Sequence, residues 1–188
     1  MWWNRSREDA NGAWGWNTEF VGVPMSCNYY TFDVMSRVMK ESSHIRGIVE
    51  FGTFTGGMAI YLGLLGLRAG VPVSTFDVVN VLEPSVERVL DRLLVSRHIG
   101  DIFSLQRQRD LEHMLRLFPV YIVMDNGDKP REFREFVPML QSGSVISVHD
   151  YGVEFQDKDW EGYGDFVEPY LREEWRKHDV RLASFRKK

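Results

Sequence analysis

Short apolar runs tied to an acidic residue recur along this chain, and stretches with helical periodicity separate them. Residues 47–51 read as a buried strand that carries Glu50 and runs into Gly52. Residues 73–77 end on Asp77, 101–104 start from Asp101, 120–125 end on Asp125, and 144–150 end on His149-Asp150. Between them, 58–69 is apolar almost all round, as expected of a helix buried against a sheet. Residues 83–97 place Val86, Val89, Leu90, Leu93 and Leu94 on one stripe, and 132–140 place Phe133, Phe136, Val137 and Leu140 on one face. Residues 31–40, 111–118 and 166–177 also read as helical, and 180–185 as a last strand. Strands alternating with helices imply right-handed crossovers and an α/β, doubly wound, mostly parallel sheet. In such a sheet ligands bind at the carboxyl ends of the strands, near the point where strand order reverses. Each of the first five predicted strands carries an acid at or next to one of its ends: Glu50, Asp77, Asp101, Asp125 and Asp150.

Composition narrows the function classes. The 188 residues fit a single domain, with 44% hydrophobic content for one core. A net charge of −4 gives no basic footprint for nucleic acid, and Arg186-Lys187-Lys188 reads as a solvated tail. The single cysteine, Cys27, excludes an internal disulfide and a four-cysteine zinc site, which suits a reducing compartment. The N-terminus has no apolar run of signal-peptide length, and the apolar stretch 58–67 is broken by glycines and too short for a bilayer. The expectation is a cytoplasmic protein with no membrane and no nucleic-acid partner. Trp2, Trp3, Trp14 and Trp16 crowd the first sixteen residues. Residues 1–30 therefore read as an aromatic-rich cap or docking segment, packed on the body, a neighbouring subunit or the mouth of a site.

The first turn is Glu50-Phe51-Gly52-Thr53-Phe54-Thr55-Gly56-Gly57. Glycines let the backbone approach a ligand, and the following helix presents free N–H groups to a phosphate or a carboxylate. As a bare pattern it also suits a tight turn with no ligand. It is neither GxGxxG nor a phosphate loop with lysine. Asp77, 27 residues after Glu50, can accept both ribose hydroxyls of an adenosine-containing ligand. Glu50 repels a pyrophosphate and suits an ammonium or sulfonium charge.

These segments, with Gly100-Asp101, Met124-Asp125 and 140–151, resemble class I S-adenosylmethionine-dependent methyltransferases of Rossmann-like fold. They are most similar to the cephalosporin-hydroxylase-like and macrolide-sugar O-methyltransferases, and Glu19-Phe20-Val21-Gly22-Val23-Pro24 resembles the lead-in of the former group. The resemblance spans roughly residues 18–155. It implies that Gly52, Thr53, Thr55, Gly56 and Gly57 lie around the methionine part, with Glu50 near its amino group. It places Asp77 on the ribose, Asp101 and Ile102 near adenine, and Asp125 at the methionine end beside the acceptor. Relatives with a metal use an acid at the fourth strand end and an acidic pair after the fifth, here Asp125 and His149-Asp150. Histidine replaces one oxygen ligand, although Mg2+ prefers oxygen, and Asp125-Asn126-Gly127-Asp128 departs from the family's Asp-x-Asp-His. A site with Mg2+ or another divalent metal and a metal-free site both stay open.

The resemblance thus implies O-methylation of a small hydroxylated acceptor, with Asp125, His149 and Asp150 as catalytic residues. His149 is a general base, a metal ligand or a structural histidine. Tyr151, Trp160 and Tyr163 line an acceptor pocket or pack the next helix. The chain is short for this family, with one strand after Asp150 where two usually close the sheet. That implies a small acceptor or a site completed by another subunit of a homo-oligomer. A non-catalytic S-adenosylmethionine-binding or scaffold protein that kept the fold is the alternative. A nicotinamide-dependent oxidoreductase is disfavoured by Glu50 and the missing GxGxxG.

Overall fold

The computed structural model describes residues 17–176 and 180–188. The tryptophan cluster at residues 2–16 lies outside the described residues. A hairpin of β1 (Asn17–Phe20) and β2 (Val23–Ser26) precedes helix α1 (Tyr30–Glu41). Then strands and helices alternate: β3 (Ile48–Phe51), α2 (Gly57–Ala69), β4 (Val73–Asp77), α3 (Pro84–Arg92), β5 (Val95–Ile99), α4 (Leu105–Leu117), β6 (Tyr121–Met124), α5 (Lys129–Phe136) and β7 (Val145–His149). A short helix α6 (Asp157–Trp160), β8 (Val167–Pro169), α7 (Arg172–Arg176) and β9 (Leu182–Lys187) complete the described chain.

The main sheet has seven strands in the order β5-β4-β3-β6-β7-β9-β8. The first five are parallel, and β9 is antiparallel to both β7 and β8. Strand order reverses between β3 and β6, which are direct neighbours. This is the expected α/β, doubly wound, mostly parallel architecture.

Both faces of the sheet are covered, so its inner strands are buried throughout and mostly apolar, with Glu50, Ser74, Thr75 and Ser147 as buried polar exceptions. The alternation of side chains sorts them between two cores. Ile48, Tyr121, Val123 and Val145 pack with α1 and α2, whereas Val49, Phe51, Ile122, Met124 and Ile146 pack with α4 and α5. Each fully buried Phe, Ile or Leu among them contributes roughly 1.5–3 kcal/mol. Helix α2 lies against the sheet: a Cβ on its Gly66 would stand 2.3 Å from Val73 Cγ2. Among the described residues no helix is long and apolar enough to cross a membrane.

Five expectations need correction. The helix expected over 83–97 stops at Arg92; Leu94 takes a φ of 56° and the chain turns into β5. Val89 and Leu94 of the expected stripe are exposed, while Val86 and Leu90 are buried. The third strand is therefore β5 rather than 101–104, where Asp101 closes a turn by accepting from the Phe103 N–H and Ser104 caps α4. The stretch 166–177 is not one helix: residues Val167–Pro169 form edge strand β8 before the short α7. Two strands, not one, thus close the sheet beyond β7.

Candidate functional site

The carboxyl ends of β3, β4, β6 and β7 bring Glu50, Asp77, Asp125 and His149-Asp150 to one edge of the sheet, around the order reversal. Gly52 makes the close approach that joins β3 to β6. It has a φ of +94°, and a Cβ there would stand 2.4 Å from the Asp125 carbonyl oxygen. Gly56 caps α2 in the left-handed region at φ 86°. Gly57 is required for packing, since its Cβ would meet Met25 Cγ of β2 at 2.3 Å. Thr55 donates its hydroxyl to the Pro24 carbonyl, so the turn after Glu50 also anchors the β1–β2 hairpin.

Glu50 is fully buried. Its Oε2 accepts from the Thr75 hydroxyl, and the Thr53 and Thr75 hydroxyls are 2.6 Å apart. Among the described residues its Oε1 has no hydrogen-bond partner. Desolvation pushes the Glu50 carboxyl up to about 8; the Thr75 hydrogen bond opposes this, and Asp125 and Asp77 add to it. The group is therefore mostly neutral at pH 7. Asp77 ties the turn to the next strand, with Oδ2 accepting from the Phe54 N–H at 2.8 Å and Oδ1 from the Val79 N–H at 3.2 Å. Phe54 has a φ of 46°, uncommon for a bulky residue, and its ring is exposed. Val78 and Val79, directly after Asp77, are half exposed. The sequence did not single out these three apolar residues; the signal was their position beside a strand-end acid. Asp101 is exposed at the β5–α4 turn, and the Ile102 side chain is fully buried in the core.

Asp125, His149 and Asp150 come together as their strand-end positions predicted. Their ligand atoms lie within 4.8 Å of one another. His149 Nδ1 lies 3.2 Å from Asp125 Oδ1 and 3.4 Å from Asp150 Oδ2, within ion-pair distance but without hydrogen-bond geometry. Burial alone would lower the imidazole, but the Asp125 and Asp150 carboxylates outweigh it and raise His149 to about 9. Its partner Asp150 is held down at about 2, chiefly by His149 and also by Lys129, with burial opposing. Asp150 has a φ of 55°, a region Asp tolerates better than most residues.

Lys129 belongs to this cluster, and the sequence reading missed it. Its side chain is only 4% exposed. Nζ lies 3.3 Å from Asp125 Oδ1, 3.4 Å from Asp150 Oδ2 and 2.6 Å from Glu154 Oε2. It also donates to the Asn126 carbonyl at 3.2 Å. Asp128, in the segment that departs from Asp-x-Asp-His, caps α5 by accepting from the Arg131 N–H. That cap starts the helix at Lys129 and brings the lysine back over the end of β6. Magnesium takes six oxygens at roughly 2.0–2.1 Å. Here two of the carboxylate oxygens on offer already face an ammonium and an imidazole, so the donor set as arranged does not fit that ion. Tyr151, Trp160 and Tyr163 make packing contacts: Tyr151 meets Trp175 edge-on, Trp160 packs on Phe185, and Tyr163 meets Phe133 edge-on.

No family model and no curated protein matches the chain. Solved structures do. CmcI with magnesium and S-adenosylmethionine is 17% identical, with a TM-score of 0.65 over 90% of this chain and 76% of that one. A caffeoyl-CoA O-methyltransferase-type protein from Staphylococcus aureus is 14% identical, with a TM-score of 0.60 over 88% of this chain and 86% of that one. MycE, from the mycinamycin biosynthetic pathway, in complex with magnesium and S-adenosylhomocysteine, is 13% identical, with a TM-score of 0.56 over 85% of this chain and 46% of that one. At these identities the likeness is one of architecture: the chain has the Rossmann-like fold on which these methyltransferases are built.

Proposed function

We propose that this protein is an S-adenosylmethionine-dependent methyltransferase that methylates a hydroxyl of a small acceptor. The observation that carries the reading is the pairing of Glu50 and Asp77 at the ends of adjacent strands, beside the order reversal. A buried carboxyl with one unpartnered oxygen suits the ammonium of an amino-acid ligand. A carboxylate retains acceptor sites beyond the two that Asp77 gives to backbone N–H groups, enough for vicinal ribose hydroxyls. Val78 and Val79 give a flat base apolar surface to cover. The turn Gly52, Thr53, Thr55, Gly56 and Gly57 would run beneath the methionine part. Asp101 would approach the adenine edge, and Ile102 would contribute its backbone only. Solved structures of the same fold hold this cofactor or its demethylated product.

Bound there, the cofactor supplies an electrophilic methyl on a sulfonium. The chain's residues align the acceptor oxygen with it, which is the main source of rate. Transfer of that methyl to an acceptor oxygen would require the acceptor hydroxyl to give up its proton to a residue of the chain. Asp125, His149 and Asp150 are the catalytic candidates. His149 is held as imidazolium below about pH 9, so near neutrality it favours a developing acceptor oxyanion. An imidazolium cannot take the acceptor's proton, so Asp125 would receive it.

The test is isothermal titration with S-adenosylmethionine and S-adenosylhomocysteine, followed by mass spectrometry of co-purified small molecules for the acceptor. Silence from both ligands at high micromolar concentration rejects the cofactor. Once an acceptor is found, turnover that survives His149→Ala and Asp150→Ala rejects the catalytic assignment.

A further inference from the structure

Two carboxylate oxygens, Asp125 Oδ1 and Asp150 Oδ2, face a cation supplied by the chain itself. We infer that the Lys129 ammonium is the built-in cation of this cluster, standing where a divalent ion would otherwise bind, so that the site works without one. The geometry is specific. Lys129 is the first residue of α5, and its side chain is buried among acids from three other segments. A lysine buried to this degree is rare unless its charge is matched. Asp125 comes from the end of β6, Asp150 from the end of β7, and Glu154 from the loop beyond it. The Asn126 carbonyl supplies a further oxygen at 3.2 Å. All four oxygens lie within 3.4 Å of Nζ, so the ammonium sits among oxygen donors of the type a hard cation uses.

A divalent ion placed between Asp125 Oδ1 and Asp150 Oδ2 would meet Lys129 Nζ at close range, and like-charge repulsion there is only partly screened. Binding the ion requires expelling the ammonium toward Glu154. The consequence for chemistry rests on the methyltransferase reading: an acceptor hydroxyl in this site would be steered by Lys129 in place of a metal. The cation-site claim itself does not depend on that reading.

The test measures Mn2+ binding by electron paramagnetic resonance, with neither methyl donor nor acceptor present. The wild-type protein is expected to leave Mn2+ free at concentrations up to about 1 mM, whereas Lys129→Met keeps the apolar stem, removes the charge and binds Mn2+ at least about tenfold more tightly. Lys129→Arg is expected to behave as wild type. Adding Asp150→Asn to Lys129→Met should abolish the gained binding. Micromolar Mn2+ binding by the wild-type protein overturns the inference, and that titration needs no variant to fold. Folded Lys129→Met with no gain also overturns it. Loss of S-adenosylmethionine binding in calorimetry would sink the methyltransferase reading and leave this result standing.

Discussion

The Thr75 hydroxyl on β4 donates to Glu50 Oε2 on β3, and the two residues are also register partners in the parallel ladder. With its proton committed to Glu50, Thr75 accepts from Thr53, so three side chains form one buried relay beneath the glycine turn. Thr75→Val keeps the shape and removes both bonds. It leaves a buried carboxyl with no donor on either oxygen, at a cost of about 1–3 kcal/mol. Urea unfolding should show that loss, and Thr75→Ser should recover most of it.

Gly52→Ala should cost at least about 2 kcal/mol and weaken cofactor binding, because strain at positive φ adds to a collision with the Asp125 carbonyl. Gly22→Ala is the control. Its φ of +82° is also in the left-handed region, but there is open space where the Cβ would go, so only backbone strain applies. Unfolding curves and cofactor titrations for both variants separate close approach from conformational strain. Equal losses in the two would show that the contact with Asp125 does not matter.

A neutral Glu50 has a calorimetric signature. With its carboxyl near 8 in the free protein, an ammonium placed beside it would draw that value down and release a proton. Titrating S-adenosylmethionine at pH 7 in phosphate and in Tris should give enthalpies that differ by the heat of transferring about one proton. Glu50→Gln should abolish the difference and reduce affinity. Identical enthalpies in both buffers would remove the ammonium from Glu50.

The stability of the ligand-free protein should fall as the solution becomes alkaline. Glu50 and Glu132, both driven up mainly by burial to about 8, and His149, raised to about 9 by its carboxylate partners against the pull of burial, bind more protons when folded than when unfolded. Their contribution is complete below the unfolded values and is lost as pH rises through 8 and 9. Asp150, held at about 2, acts oppositely and loses its contribution only in strong acid. Stability should therefore peak near about pH 4, between the Asp150 and the unfolded glutamate values, and decline steadily above it, with at least about 2 kcal/mol lost between pH 6 and 9. Urea titrations across that range check it; a maximum above pH 8 would contradict these shifts.

Much of the sheet was legible because fully buried parallel strands leave unbroken apolar runs. Tyr121–Met124, followed by Asp125, is of this kind, and Val73–Asp77 and Val145–His149 are interrupted only by small hydroxyl residues before Asp77 and His149-Asp150 mark their ends. The edges were not. Val95–Ile99 carries Ser96, Arg97 and His98, lies half exposed at one end of the sheet, and continues the spacing of the preceding helix. Val167–Pro169 is three residues long at the opposite edge, too short for any period to register. Lys129 was illegible for another reason. A lysine at a helix start reads as solvated, and its burial depends on Asp125, Asp150 and Glu154, which converge only after β6, β7 and α5 have packed. The same packing gives Tyr151, Trp160 and Tyr163 their neighbours.

The insertion of β9 between β7 and β8 has a cost in assembly. Until residues 182–187 pair, the strand that carries His149 is a bare edge reading Val-Ile-Ser-Val-His, β-branched and uncharged apart from its last residue. Such an edge is a template for pairing between molecules. The partner that covers it follows more than thirty residues later, across a long excursion through α6, β8 and α7. The route to aggregation in this protein therefore runs through the strand that completes its candidate catalytic cluster.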